Sequence, residues 1–193
     1  MTWVTDVIPI VLLDACVLYP APLRDLLMWS ASTGLFSARW SADILAEWTE
    51  NLLRNRPDLK RDRLERTCAE MNRAVPDAMV TGYESLVSTV TLPDADDRHV
   101  LAASIASGAE VILTLNLKDF PPEQLPSGIV ALAPDPFLVQ VFDLNSTALL
   151  NTMAEHRASL TRPPKTAEEY VESLRHGGLV ELAQRVAERL EQI

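Results

Sequence analysis

Carboxylates stand where two buried strands are expected to end. Asp14 directly follows an apolar run at residues 8–13, and Asp119 follows a similar run at 111–115 by a short turn. Short continuous runs rich in Ile, Val and Leu are typical of strands buried on both faces of a parallel sheet. Functional groups of open α/β sheets gather at the carboxyl ends of the strands. The two acids are therefore candidates for a functional site.

Two further groups of acids lie on segments that we predict to be helical. Asp94, Asp96 and Asp97 stand at the start of an Ala-rich helix, where the helix dipole favours negative charge. Glu47 lies at the edge of the apolar face of an earlier helix. Carboxylates gathered from these places would repel one another strongly unless a cation lay between them. Hard oxygen ligands select Mg²⁺ or Mn²⁺, which suit phosphodiester hydrolysis by a metal-activated water.

The elements that would position these acids alternate between strand and helix. The predicted strands cover residues 8–13, 35–37, 111–115 and 129–132, with strand or irregular chain at 83–92. The predicted helices cover about 23–32, 41–54, 58–75, 94–107 and 135–144, and Ser41, Asp58 and Asp94 are expected to cap the second, third and fourth. This alternation predicts an α/β fold with a parallel sheet.

The chain is predicted to divide near Asn145 and Ser146. No strand pattern appears after this point, and three helical stretches follow. Thr166 and Glu169 have the spacing of a capping box, and the last stretch carries an apolar stripe from Leu179 onward. We therefore predict an α/β domain at residues 1–145 and an all-helical C-terminal extension at 146–193.

The composition limits the class of protein. Hydrophobic residues make up 48% of the 193 residues and charged residues 23%, which indicates a folded, soluble chain. No stretch approaches the roughly 18 to 20 apolar residues of a membrane span, and Asp6 stands where a secretory signal carries Lys or Arg. We therefore expect no membrane association and a cytoplasmic location. Cys16 and Cys68 lack metal-binding spacing and are expected as reduced thiols.

Four motifs carry a resemblance to a known family. They read I-V-L-L-D-A-C-V-L-Y from residue 10, S-A-D-I-L-A-E-W from 41, P-D-A-D-D-R-H-V-L-A-A-S-I from 93 and T-L-N-L-K-D-F-P from 114. Together they resemble the PIN-domain ribonucleases over about residues 8–144. The resemblance implies a PIN-like three-layer fold, in which helices flank a central parallel sheet, with the helical extension added to it.

The resemblance also implies which residues form the site. The acidic quartet falls on Asp14, Glu47, Asp97 and Asp119, with Asn116 as a polar neighbour. Asp94 and Asp96 stay open as alternatives for the third acid. The three aspartates of the quartet would hold one or two Mg²⁺ or Mn²⁺ ions, and its glutamate would serve the second ion or its water.

Similarity to the VapC type of bacterial toxin implies a function. A protein of this type is a metal-dependent endoribonuclease and the toxin of a type II toxin–antitoxin pair, with RNA as its substrate. The cognate antitoxin neutralises it by covering the acidic pocket, and the toxin is commonly a homodimer.

Two other functions are compatible with the same acids. A catalytically silent PIN-like binding module would keep the acidic pocket and act as a partner scaffold through its helical extension. A phosphoaspartyl enzyme or receiver would use Asp14 as nucleophile, although the haloacid-dehalogenase pattern expects a second Asp where Cys16 stands. We interpret His99 as a structural or surface histidine, because a metal-activated water needs no side-chain base.

The charge is unevenly distributed along the chain. The net charge is −10, from 17 basic and 27 acidic residues, which argues against a protein that coats nucleic acid through bulk electrostatics. Residues 54–73 are an exception, since their seven basic and four acidic residues give +3. We interpret this window as a solvated helix face, with contact to RNA phosphates or to an acidic stretch of antitoxin as the alternative. Trp48 is expected to pack in the core.

Overall fold

A computed structural model describes residues 8–193 and contains a five-stranded parallel sheet. Its strands are β1 (Ile10–Leu13), β2 (Ser37–Ser41), β3 (Met79–Val80), β4 (Val111–Leu113) and β5 (Val130–Leu132). The sheet order is β3-β2-β1-β4-β5, so the chain builds outward from β1 in both directions. In such a sheet the ligand crevice forms at the switch point, here between β1 and β4. Asp6, on which the expectation of no secretory signal rests, lies outside the described residues.

Helices connect the strands and form the C-terminal region. They are α1 (Ala15–Leu18), α2 (Ala21–Ser32), α3 (Ala42–Asn55), α4 (Arg61–Ala74), α5 (Glu84–Val87), α6 (Arg98–Ser107), α7 (Pro134–Ser159), α8 (Ala167–His176) and α9 (Val180–Ala187). Val11, Leu12 and Leu13 are fully buried, although successive side chains of a strand point to opposite faces. Both faces of the sheet are therefore covered, and the predicted α/β fold with flanking helices and a helical C-terminal region is confirmed.

The prediction misplaces β2 and misses β3. The strand predicted at 35–37 is wrong, because Leu35 and Phe36 precede β2 and Phe36 packs into the core. β2 itself reads S-A-R-W-S, and its buried apolar side chains are Ala38 and Trp40. It therefore lacks the apolar run by which a buried strand is identified. β3 has two residues, too few for a periodic pattern.

The start of α4 also differs from the prediction. Asp58 does not cap this helix, which begins at Arg61 with Lys60 in the cap position. The Asp58 carboxylate instead accepts two hydrogen bonds from the Arg56 guanidinium, at 2.7 and 2.8 Å. Ser41, in contrast, caps α3 as predicted, since its hydroxyl accepts the N–H of Ile44 at 3.2 Å.

The start of α6 differs for a similar reason. Asp94 was expected to cap a helix through residue 107, but α6 begins only at Arg98, with Asp97 in the cap position. Asp94 Oδ1 accepts the backbone N–H of Asp96 at 2.9 Å, which closes a local turn in place of a helix. The end at Gly108 is as predicted, because this residue has the positive φ of 65° that glycine accepts readily.

Helix α7 carries the chain from the sheet into the C-terminal region. Its predicted end near residue 144 corresponds to a kink, where Asn145 has non-helical angles (φ −151°, ψ 73°). The Asn145 side chain accepts the N–H of Ala148 at 3.0 Å and so caps the second half of the helix. The division into domains at residues 145 and 146 stays a prediction. Thr166 and Glu169 form the predicted capping box at the start of α8.

Helix α9 docks on α7 through apolar and polar contacts. Leu182 and Val186 of the predicted stripe are fully buried. The carboxylate of Asp135, at the start of α7, accepts the N–H groups of Glu181 (2.9 Å) and Leu182 (3.0 Å). These are N–H groups of the first turn of α9, which have no partner within their own helix. Asp135 therefore caps a helix distant from it in sequence.

Two smaller expectations concern the thiols and the membrane. Cys16 and Cys68 are free cysteines, each half-buried, as expected. Between residues 8 and 193 there is no helix with the length and apolar character that crossing a membrane requires.

Replacing Asp135 by Ala tests the docking of α9. We expect Asp135→Ala to lower the free energy of unfolding by about 0.5–2 kcal/mol, the usual cost of losing a helix cap. Urea denaturation measures the change. Glu155→Ala, at an exposed position of the same helix, is the matched control. Equal stability of the two variants would show that the Asp135 cap does not hold α9.

Candidate active site

The site begins with a buried carboxylate at the carboxyl edge of β1. Leu13 pairs with Leu113 in the parallel register, so the next residues, Asp14 and Thr114, are neighbours. The backbone N–H of Asp14 donates to the carbonyl of Leu113 (3.1 Å), which extends the pairing beyond the strands. Asp14 is 3% exposed and Thr114 is fully buried. The two lie at the switch point of the sheet.

Two side chains hold the Asp14 carboxylate. The Thr114 hydroxyl donates to Asp14 Oδ2 at 2.7 Å, and the Cys16 thiol donates to the same oxygen at 3.0 Å. Burial raises the pKa of Asp14, while these two hydrogen bonds oppose the rise. Burial and the charge of Asp14 raise the pKa of Cys16 to about 12, so the thiol stays protonated and remains a donor.

The backbone after β4 supports this pair of donors. The N–H of Leu115 donates to Cys16 Sγ (3.1 Å), and the N–H of Asn116 donates to the Thr114 hydroxyl (3.0 Å). Each of the two side chains that donate to Asp14 thus itself accepts a hydrogen bond from a main-chain N–H group. The side chain of Asn116, predicted as a polar neighbour of the site, is exposed.

The pKa of Asp97 is shifted by burial and by the charges of the neighbouring acids. This pKa is raised to about 7, first by burial and then by the charges of Asp14, Asp94, Asp119 and Glu47, in that order. The three other predicted site acids, and the alternative Asp94, therefore lie near enough to Asp97 for their charges to act on it. They come from β1, α3, the cap of α6 and the turn after β4. Like charges at close range favour the protonated carboxyl, and a cation between them would remove this penalty.

Glu47 approaches the cluster from α3 and contacts a histidine. His99 Nε2 lies 3.4 Å from Glu47 Oε2, and the side chains are 17% and 40% exposed. Burial alone would lower the pKa of His99, but the hydrogen bond and the charge of Glu47 outweigh it and raise the pKa. His99, which we interpret as a structural or surface histidine, thus contacts the predicted site through Glu47.

The remaining predicted residues lie at the rim. Asp119 ends a 3-10 turn (Leu117–Asp119) after β4, and its side chain is 15% exposed. The ammonium group of Lys118 is 4.0 Å from its carboxylate. Asp96 is exposed, and its charge is not among those that raise the pKa of Asp97. The structure thus brings Asp119 to the cluster and leaves Asp96 outside it.

The donor set fits a divalent cation in kind, although the side chains do not form a ligand cage as placed. Among residues 8–193, no three His, Cys, Asp or Glu side chains are close enough together to hold a metal ion. The carboxylates nevertheless converge from four elements, and oxygen donors of this type are what Mg²⁺ and Mn²⁺ prefer. A shared ion would have to draw the side chains closer together.

Three residues of the site were not identified from the sequence as functional. Thr114 and Cys16 hold Asp14, and His99 contacts Glu47. Thr114 follows β4 as Asp14 follows β1, so its position at a strand end was an available signal. The significance of Thr114 for the site depends on the pairing of β1 with β4, which the periodicity of apolar residues does not reveal.

Comparison with known proteins adds a family relationship. A model of the PIN domain matches residues 10–118, ending one residue before Asp119, and a model of the VapC50 C-terminal domain matches residues 134–188. The protein named "Putative ribonuclease VapC50" of Mycobacterium tuberculosis is 34% identical over 117 residues, which are 58% of this chain and 69% of that protein. No solved structure matches the chain. The resemblance inferred from the four motifs is confirmed.

Removing the hydroxyl of Thr114 tests its support of Asp14. Thr114→Val leaves a buried carboxylate with one donor fewer, so we expect the free energy of unfolding at neutral pH to fall by about 1–3 kcal/mol. Thr114→Ser keeps the hydroxyl and is expected to lose less. Urea denaturation of both variants makes the comparison. A loss in Thr114→Ser as large as that in Thr114→Val would contradict the role assigned to the hydroxyl.

The raised pKa of Asp97 predicts a pH dependence of stability in the absence of metal. The folded carboxyl titrates at about 7, compared with about 3.9 in an unfolded chain, so the folded state holds its proton more tightly. Stability therefore falls as the pH rises from about 4 to about 7 and levels off above that value.

Asp97→Asn removes this contribution. We expect wild type to lose stability relative to the variant across that pH range, measured by urea denaturation in EDTA. Asp96→Asn, at the exposed neighbouring position, is the control. A constant difference between wild type and Asp97→Asn would contradict the proposed coupling among the acids.

Proposed function

The chain belongs to the PIN-domain family, and from that premise we propose that it is a metal-dependent endoribonuclease that hydrolyses RNA phosphodiester bonds. The observation that carries this proposal is the convergence of four acids beside the switch point of the sheet: Asp14, Glu47, Asp97 and Asp119. Besides burial, the charges of the other three raise the pKa of Asp97. The relative named as a ribonuclease supports it.

We assign the cation to the aspartates of this cluster. Asp14, Asp97 and Asp119 would hold one or two Mg²⁺ or Mn²⁺ ions, with Glu47 at the second ion or its water. A bound ion of this kind activates water and neutralises charge that develops on phosphate oxygens. Titration with each metal measures the number of bound ions and the preference between Mg²⁺ and Mn²⁺.

The side chains around the acids prepare them for this role. Cys16, Thr114 and the Ala15 backbone N–H hold Asp14 and favour its charged form, although burial opposes it. A carboxylate has about four lone-pair sites, so three donors leave capacity for a ligand. His99 restrains Glu47 by its contact at 3.4 Å. Asp97 must lose a proton that it holds up to about pH 7 before it can bind a cation.

We also propose the biological setting that the resemblance implies. The chain would be the toxin of a type II toxin–antitoxin pair, acting in the cytoplasm as a homodimer and neutralised by a cognate antitoxin over the acidic pocket. The match to the VapC50 C-terminal domain supports this assignment beyond the PIN domain itself. Growth arrest on expression of wild type, absent with Asp97→Asn, tests the toxin role, and sedimentation equilibrium tests the dimer.

Cleavage of total cellular RNA tests the enzyme. We expect wild type to give discrete fragments with Mg²⁺ or Mn²⁺ and none with EDTA. Asp14→Asn and Asp97→Asn should lower the rate by more than the roughly 10- to 100-fold that loss of an outer-shell partner of a metal site costs. Asp96→Asn, exposed beside the cluster, should keep near wild-type activity.

The other outcomes select the alternatives. A folded wild type that binds metal but cleaves no RNA would favour the silent binding module, and deletion of residues 146–193 would then be expected to abolish partner binding. A phosphate adduct on Asp14 after treatment with acetyl phosphate, detected by intact mass, would favour the phosphoaspartyl function.

A further inference from the structure

A pocket with arginines in its wall lies at α3, the helix that also carries Glu47 of the acidic cluster. It has a volume of about 370 Å³ and is bounded by α2, α3 and α4. Its wall includes Arg24, Arg56 and Arg63, together with Trp48 and Tyr19. No acid is among the lining residues in the part of the chain that the structure describes. In a chain of net charge −10, such a pocket is a local reversal of sign.

Trp48, which lines the pocket, carries a buried hydrogen-bond donor without a partner in the described part of the chain. Trp48 is 1% exposed, and its indole Nε1 has no hydrogen-bond partner among residues 8–193. A buried N–H group without a partner costs free energy. The Arg24 guanidinium lies 5.3 Å from the centre of the Trp48 ring and fixes that wall of the pocket.

The arginines keep donor capacity for a ligand. Arg24 pairs with Asp25 at 3.2 Å and Arg56 with Asp58 at 2.7 Å. Arg63 forms no salt bridge within the described ranges, and its side chain is at an exposed position of α4. Each guanidinium has five N–H donors, and one or two bonds to a carboxylate leave others available. The complementary ligand is an oxyanion with several acceptor oxygens.

We propose that this pocket binds a backbone phosphate of the RNA whose phosphodiester lies at the acidic cluster, and this inference rests on the proposed function. Trp48 follows Glu47 directly on α3, so their Cα atoms are about 3.8 Å apart and one helix carries both sites. A nucleic-acid strand that reaches the cluster brings further phosphates with it. Arginine binds phosphate through charge-assisted, often bidentate hydrogen bonds.

RNA affinity in EDTA tests the pocket without cleavage. We expect Arg63→Gln to weaken binding of a single-stranded RNA oligonucleotide and to lower the slope of log K against log salt by about 0.7, the value of one lost phosphate contact. Arg66→Gln is the matched control, because Arg66 is exposed on the same helix, pairs with Asp62 and does not line the pocket. Equal affinity and slope for wild type and both variants would overturn the proposal.

The indole signal of Trp48 gives a local readout. In ¹H–¹⁵N spectra, assigned with Trp48→Phe, we expect this signal to shift with the RNA oligonucleotide and, at higher concentration, with inorganic phosphate. Wild type should show the shift more strongly than Arg63→Gln. A shift with an acidic peptide but none with RNA would overturn the assignment to RNA in favour of a protein partner.

Cleavage assays on the same samples separate this inference from the proposed function. RNA binding with the Trp48 shift but without metal-dependent cleavage would refute the nuclease and leave an RNA-binding pocket. Cleavage by wild type and Arg63→Gln with equal KM and kcat would refute the pocket and leave the nuclease. A raised KM in Arg63→Gln, with kcat near wild type, is the result we expect.

Discussion

The parallel pairing of β1 with β4 is the constraint on which the site depends. It buries Asp14 at the edge of the sheet and places Thr114 beside it. A buried carboxylate without compensation costs several kcal/mol, so the hydrogen bonds from Thr114 and Cys16 are a condition for keeping Asp14 there in charged form. Asp97 and Glu47 add like charge around it, and repulsion among these acids therefore carries a cost in stability when no metal is bound. Such cost is common where function and stability compete.

The sheet and most of the site could be predicted because they follow from local patterns. β1 and β4 are short apolar runs, and Asp14 marks the end of the first. β2 could not be identified in this way, since its stability comes from pairing with β1 and β3 and from the burial of Trp40. The same holds within the site. Thr114, Cys16 and His99 are ordinary residues in sequence, and they gain a role only through neighbours that tertiary structure provides.

Helix α7, which is kinked at Asn145, joins the C-terminal region to the sheet. α7 begins directly after β5 and passes the kink at Asn145, and beyond the kink Thr152 hydrogen-bonds Thr33 at the end of α2 while His156 hydrogen-bonds Tyr170 of α8. Asp135 caps α9, and Arg185 of α9 pairs with Asp143. Because both contacts lie in the first half of α7, α9 is fixed to the part of the helix nearest the sheet. A mutation in either half would therefore affect both regions.

Helix α3 separates two environments of opposite charge. Glu47 faces the acidic cluster, and the next residue, Trp48, lines the pocket of arginines. A polyanion is repelled by the net charge of −10 at long range, but screening confines this repulsion to about 8–10 Å at physiological salt. At short range the arginines dominate on one side of α3. Basic groups concentrated near the carboxylates would let an acidic protein engage a phosphate chain, and α3 carries Glu47 of the cluster next to Trp48 of the arginine-lined pocket.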